Sequence, residues 1–264
     1  MYEFAYHRPK SVDEAAALLA GNEDAKLLAG GQTYIPTLKQ RLAQPTDVID
    51  LGGIAELQGI KEEAGGITIG AMTRHADVAA SELVQRVIPA LAALAEGIGD
   101  PQVRHRGTLG GSISNNDPAA DYPGAVLGLG ATVRTSKREI AGDDFFTGMF
   151  ETALEPDEIV TAVHFPKPEQ AAYAKFPNPA SRYAMAGAFV ARTAGGVRVA
   201  ITGAGPTAFR WSEAESALAG NLASAALDGL SVDPGELNGD IHGSADYRAN
   251  LVQVMTKRAV EALG

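Results

Sequence analysis

A chain of 264 residues with 45% apolar and 20% charged side chains is long enough for more than one packed unit and too apolar for disorder. Its formal charge of −10 excludes unspecific nucleic-acid binding as an expected role, since no basic stripe compensates locally; the absence of cysteine excludes disulfides, thiolate catalysis and any cysteine-held zinc or iron–sulfur site on this polypeptide. Met1 to Arg8 has no charged segment leading into an apolar run, and nowhere do 18 apolar residues follow one another, so a cytoplasmic location without a transmembrane segment is expected.

Ser11 and Glu14 stand at capping-box spacing before the alanine-rich run Ala15 to Ala20, which predicts a short helix. Lys26 to Ala29 reads as a strand entering Gly30-Gly31. Tyr34, Ile35, Leu38 and Leu42 then recur at helix spacing, with Pro36 tolerable in the first turn. Asp47 to Leu51 and Ile67 to Ile69 read as strands, the second with hairpin character after Gly65-Gly66. Helical periodicity covers 74–80 and 86–98, the latter entered through Pro89. From Gly99 to Pro123 the pattern predicts a long loop broken only by a short strand at Thr108-Leu109, and loops of that length inside a packed unit are usually functional.

A buried helix is expected over Ala125 to Leu129, and strands over Ala131 to Arg134 and Glu158 to His164. Proline and alanine thicken from Pro166 to Pro179, the best boundary in the chain. Beyond it, Ala184 to Arg192 and Val197 to Thr202 pair across Gly195-Gly196, and helices are expected near 211–220, 222–229 and from Ala245 to Leu263.

Two segments have ligand-binding character. In Leu28-Ala-Gly-Gly-Gln-Thr33, a glycine pair between strand and helix lets backbone approach a ligand closely and turns N–H groups toward an anion such as a diphosphate. A plain tight turn remains open for these residues read alone. In Arg104-His-Arg-Gly-Thr-Leu-Gly-Gly-Ser-Ile-Ser-Asn-Asn-Asp-Pro118, backbone amides could hold phosphate oxygens while Asp117 accepts from sugar hydroxyls. A third stretch, Ile201 to Ala208, matches G-x-G-x-x-A, but Pro206 removes an amide donor and a strand end followed by a turn is the better reading. His7, His75, His105, His164 and His242 are scattered, with no zinc pair, serine elbow or Walker lysine. Asp117 and Asp121 could flank a divalent ion, although Pro118 and the intervening alanines favour a capped loop.

Together the glycine segments resemble the FAD-binding medium subunits of the xanthine dehydrogenase and carbon monoxide dehydrogenase family, the molybdenum hydroxylases. The likeness is carried by Leu28 to Thr33 with Pro36 and Leu38-Lys39, Gln44-Pro45 to Leu51, Ile69 to Thr73, Asp100 to Arg104, Arg106 to Ser112 with Asp117-Pro118, Phe145 to Gly148, Leu154 to Ile159, and Lys175-Phe176 with Tyr183 to Met185. It spans nearly the whole chain in order. Gln32 and Thr33 stand where close relatives often carry His or Ser, a departure that bears on flavin tuning and electron acceptor.

The resemblance implies an α+β fold: a two-part FAD-binding domain of the vanillyl-alcohol oxidase (PCMH) type over 1–55 and 56–165, then a C-terminal α+β domain of the CO dehydrogenase flavoprotein type over 166–264. It implies that Ala29, Gly30, Gly31, Gln32 and Thr33 wrap the diphosphate and ribityl chain, that Thr108, Gly110, Gly111 and Ser112 hold its other side, that Asp117 binds ribityl or ribose hydroxyls, and that Val160 and Lys175 lie near the isoalloxazine. The implied role is electron transfer. FAD would receive electrons from [2Fe-2S] clusters of a small partner, themselves reduced at molybdopterin on a large partner, in a dimer of heterotrimers, and deliver them to an external acceptor. No catalytic acid, base, nucleophile or metal ligand is required of this chain. A self-sufficient flavoenzyme on the same cradle and a flavin-free assembly subunit are the alternatives.

Overall fold

The computed structural model describes residues 1–63 and 65–263. Its N-terminal sheet is parallel and three-stranded, with Asp47–Asp50 between Ala5–His7 and Lys26–Leu28. Parallel strands need crossovers, and helices Val12–Ala20 and Tyr34–Lys39 supply them. Ser11 caps the first through its Oγ, which accepts from the Glu14 amide at 3.2 Å, while Glu14 reaches back to the Lys10 amide at 2.7 Å. Ala15, Leu19, Ile49, Ile54 and Leu57 form the small core beneath.

A five-stranded antiparallel sheet follows, in the order Ile60–Glu63, Gly66–Gly70, Val160–Pro166, Thr132–Thr135, Glu139–Ala141. Its core is shared with helices His75–Ala80, Glu82–Val87, Pro89–Glu96 and Tyr122–Gly128, through Val78, Val84, Leu91, Leu94, Tyr122 and Val126.

The third sheet is an antiparallel meander of Gln170–Pro177, Ala184–Thr193, Gly196–Thr202 and Phe209–Arg210. Its second strand is buried from Ala184 to Ala191 because both faces are covered. Strand alternation divides its side chains. Ala186, Ala188 and Val190, with Val199 and Ile201 of the next strand, face the core that includes Leu251, Val252 and Met255 of the long helix Ala245–Glu261. Phe189 and Ala191, with Ala200, point the other way into the core of the five-stranded sheet. A Cβ added at Gly128 would sit 2.7 Å from the Phe189 ring, so the helix Tyr122–Gly128 rests directly on this strand. Among the described residues no helix is long and apolar enough to cross a membrane.

Several expectations from periodicity are corrected. Leu42 is 75% exposed and outside its helix, because Arg41 adopts φ 60° and the chain reverses after Lys39. The segment 86–98 divides at Ile88, whose backbone (φ −140°, ψ 71°) is non-helical, since the following Pro89 disfavours the helical conformation there. Within the expected loop 99–123, residues Pro101–Arg104 and Leu109–Asn115 are helical, and the expected strand at Thr108-Leu109 is only a bridge from Thr108 to Arg74. The expected helix over 222–229 is only a short 3-10 turn over Ser224–Leu227.

Phe189 is fully buried where the core of the five-stranded sheet meets the C-terminal meander. Phe189→Ala is expected to lower unfolding free energy by ~3–5 kcal/mol, read as a lower urea midpoint at unchanged slope.

Candidate functional site

The two glycine turns meet. A Cβ at Gly30 would lie 2.1 Å from the carbonyl oxygen of Arg106 and 2.8 Å from Cα of Gly107, and a Cβ at Gly111 would lie 3.2 Å from that of Ala29. Only glycine permits backbone contact this close. Gly31 has φ 75°, the left-handed conformation that turns the chain into the helix Tyr34–Lys39.

The turns contribute differently. The amides of Gly30, Gly31, Gln32 and Thr33 donate no hydrogen bond within the described protein, which leaves a run of consecutive main-chain donors at the mouth of a cleft. The amides of the second turn are engaged: Leu109 donates to Thr73 O at 3.1 Å, Gly110 to Ala71 O at 2.8 Å, Ser112 to Thr108 O at 3.0 Å, and Gly111 to Thr108 Oγ1 at 3.2 Å. The expectation that both turns offer free amides is thus corrected. Thr108 acts as the N-cap of helix Leu109–Asn115, and this turn supplies shape and the Ser112 hydroxyl.

The cleft between the turns has a volume of about 630 Å3, within the range of roughly 300–1,000 Å3 usual for small-molecule sites. Ala29, Gly30, Gly31, Gln32, Thr33, Thr108, Gly110, Gly111, Ser112, Asp117 and Val160 all line it. Lys175 does not. Its ammonium ion lies 2.9 Å from Oδ1 of Asp121 and 2.9 Å from Gly97 O, so it supports a lining residue, Asp121, instead of facing the cleft.

Sequence reasoning missed Tyr34, Met72, His75, Val103, Asp121 as a wall residue, and Tyr183. None sits in a glycine motif, and no spacing rule would have brought them together. Asp117 and Asp121 do not make a cation site: Oδ1 of Asp117 accepts from the Ala119 amide at 2.9 Å, Asp121 is held by Lys175 and the Tyr173 hydroxyl, and no metal-ligand cluster occurs among the described residues. The third glycine stretch lies away from the cleft as a strand-end turn. Gly203 has φ 82°, and its carbonyl accepts from Nη1 of the buried Arg248 at 2.9 Å.

Burial dominates the cleft's electrostatics. Burial first, and the Arg104 charge second, lower the His75 pKa to about 4, so the ring is a neutral imidazole near pH 7. It packs 5.3 Å from the Tyr122 ring, with Nδ1 buried and unpartnered. The Tyr34 hydroxyl is likewise buried without a partner, and burial raises its pKa. Burial pushes the Asp121 carboxyl up, against the pull of Lys175 and Tyr173. At Glu158 burial also pushes upward, but hydrogen bonds from Arg138, Thr135 and the Glu155 amide outweigh it and hold the carboxyl at about 2. The wall thus combines a neutral ring, a buried acid held by Lys175 and Tyr173, and a firmly ionised one.

Comparison with known proteins matches residues 2–168 to the FAD binding domain in molybdopterin dehydrogenase and residues 171–263 to the CO dehydrogenase flavoprotein C-terminal domain. The carbon monoxide dehydrogenase medium chain of Hydrogenophaga pseudoflava is 39% identical, covering 98% of this chain and 96% of the relative. The nicotine 6-hydroxylase medium subunit of Paenarthrobacter nicotinovorans is 37% identical with the same coverage. Among solved structures, reconstituted CO dehydrogenase from Oligotropha carboxidovorans superposes with a TM-score of 0.93 at 36% identity, covering 99% of this chain and 98% of that one.

His75 gives a pH prediction. Its folded pKa of about 4 lies below its unfolded value, so the unfolded chain takes up a proton first as pH falls. Stability tied to the neutral ring is complete above about pH 6.5 and is lost as pH drops from there toward 4, by roughly 2–4 kcal/mol. Urea unfolding at pH 7, 5.5 and 4.5 should show this slope in the wild type and a shallower one in His75→Gln.

Proposed function

The chain belongs to the family of FAD-binding medium subunits of molybdenum hydroxylases, and on that basis we propose that it serves as the electron-transfer flavoprotein of such a complex. It is an oxidoreductase subunit whose cofactor is FAD. When bound, the flavin would accept electrons from [2Fe-2S] clusters of a small subunit, downstream of a molybdopterin-bearing large subunit, and pass them to an external acceptor. An assembly of two heterotrimers and a cytoplasmic location complete this reading.

One observation carries the site assignment: four consecutive unengaged amides, Gly30 to Thr33, open onto a cleft of dinucleotide scale. A diphosphate needs several converging donors and no bulky neighbour, and this turn meets both conditions. The amides would hold the diphosphate. Gly110 and Gly111 would keep the opposite wall low, and the Ser112 hydroxyl and Asp117 carboxylate would bind ribityl or ribose hydroxyls. Val160 would pack near the ring, with Lys175 acting through Asp121. Neutral His75 adds an uncharged wall that excludes water. In this reading residues 1–55 and 56–165 are the two halves of the cradle and 166–264 the C-terminal domain.

No residue of the chain must abstract a proton or attack a carbon, because the chain's work is to bind and orient the cofactor and to exclude water. Relatives named for carbon monoxide, nicotine, glyceraldehyde and caffeine share the architecture, which supports placing substrate choice on another subunit.

The test is flavin retention. Purified chain should carry FAD, seen as its visible absorbance band and identified by chromatography after release. Gly31→Ala puts a Cβ 2.6 Å from Cδ1 of Ile35 at φ 75° and should weaken FAD binding about tenfold or more while the far-ultraviolet spectrum stays native. A colourless wild-type protein, or an FAD-loaded chain that oxidises an organic substrate without partners, would contradict the proposal.

A further inference from the structure

Beside the main cleft, and sharing Gly99 and Arg182 with it, lies a second, more open pocket of about 540 Å3 between segments 96–104 and 175–182. Two guanidinium groups meet there. Nη1 of Arg104 donates to the carbonyls of Ile98 at 3.0 Å and Gly99 at 3.3 Å, and Nη1 of Arg182 donates to the same Gly99 carbonyl at 3.3 Å. The two cations are therefore within two hydrogen-bond lengths of each other. Among the described residues neither forms an ion pair, and Glu96, the acid on the pocket rim, pairs with neither. The nearby charge of Lys175 is already taken by Asp121.

In a chain of net charge −10, two arginines held together with no carboxylate between them need explaining. Loose packing does not explain it. Arg182 adopts φ 62°, a strained conformation for a residue with a side chain. Its loop is clamped by buried Asn178, whose Oδ1 accepts from the Ala180 amide at 2.9 Å and whose carbonyl accepts from the Arg182 amide at 2.8 Å. Arg104 is fixed by its two carbonyl contacts. Among the described residues no acceptor meets the Nε or Nη2 of either guanidinium, and such forks match phosphate oxygens in pairs.

We propose that Arg104 and Arg182 form a clamp for the phosphate group of a small electron acceptor, whose remainder reaches the main cleft past Gly99. The acceptor identity rests on the flavoprotein reading above. The anion site rests only on the cation pair and its pocket.

The FAD-loaded chain, assembled with its partner subunits, is titrated calorimetrically with inorganic pyrophosphate at low ionic strength. Saturable binding is expected in the wild type, weakened about tenfold or more in Arg182→Gln and Arg104→Gln and lessened by added salt. Arg182 is exposed, so its substitution should leave the melting temperature unchanged or slightly raised. Wild-type binding that is absent, or equal to that of both variants, overturns the clamp. In turnover, pyrophosphate should compete with a phosphate-bearing dinucleotide acceptor and spare a neutral quinone. Absence of dinucleotide turnover, or equal inhibition of both, overturns the acceptor assignment. Flavin absorbance separates the two layers: an FAD-loaded chain with Arg182-independent binding defeats the clamp alone, whereas a flavin-free chain with Arg182-dependent binding defeats the flavoprotein reading and keeps the anion site.

Discussion

Backbone lies against backbone where Gly30 meets Arg106 and Gly107, and the site follows from that contact. The overlap a side chain would create there, at 2.1 Å from a carbonyl oxygen, is too large for rotamer adjustment to relieve. Because the turns touch, the amides of Gly30 to Thr33 are held at the cleft mouth, and His75, whose amide donates to Gly107 O at 3.0 Å, is pinned behind them. The chain thereby joins its parallel N-terminal sheet to its antiparallel central sheet through a turn-on-turn contact that also shapes the cleft.

The strand Ala184–Thr193 does comparable work for the C-terminal meander. Buried on both faces, it commits alternate side chains to two cores, so the meander cannot shift without opening both. Tyr173 and Lys175 on the neighbouring strand reach across to Asp121 at the start of helix Tyr122–Gly128. A buried carboxylate with two donors from another sheet is costly to break, because removing either donor leaves charge poorly compensated. The cleft wall therefore depends on the C-terminal meander although few of its lining residues come from there.

Charge is arranged unevenly along this region. Lys175 is matched by Asp121 and Arg138 by Glu158, whereas Arg104 and Arg182, among the described residues, meet backbone carbonyls and no carboxylate. A paired cation holds the fold together, while an unpaired one keeps donors available to something outside the chain.

Much was legible in residue order because it depends on local chemistry. Glycine pairs at 30–31 and 110–111, the capping spacing at Ser11 and Glu14, and the alternation over 184–192 each report a backbone preference that neighbours within a few residues enforce. Eleven of the expected site residues accordingly line one cleft. Contacts between distant segments were hidden, since nothing near residue 109 announces that its amide will find Thr73, or that the glycine-rich stretch will be helix and not loop. Lys175 shows the same division: its chemistry was readable, but whether it faces the cleft or supports Asp121 depends on how two sheets pack. Local preference chose the turns and the strands; which donors remain free, and which cations remain unpaired, was settled by long-range packing, because hydrogen-bond partners are assigned only once the sheets have met.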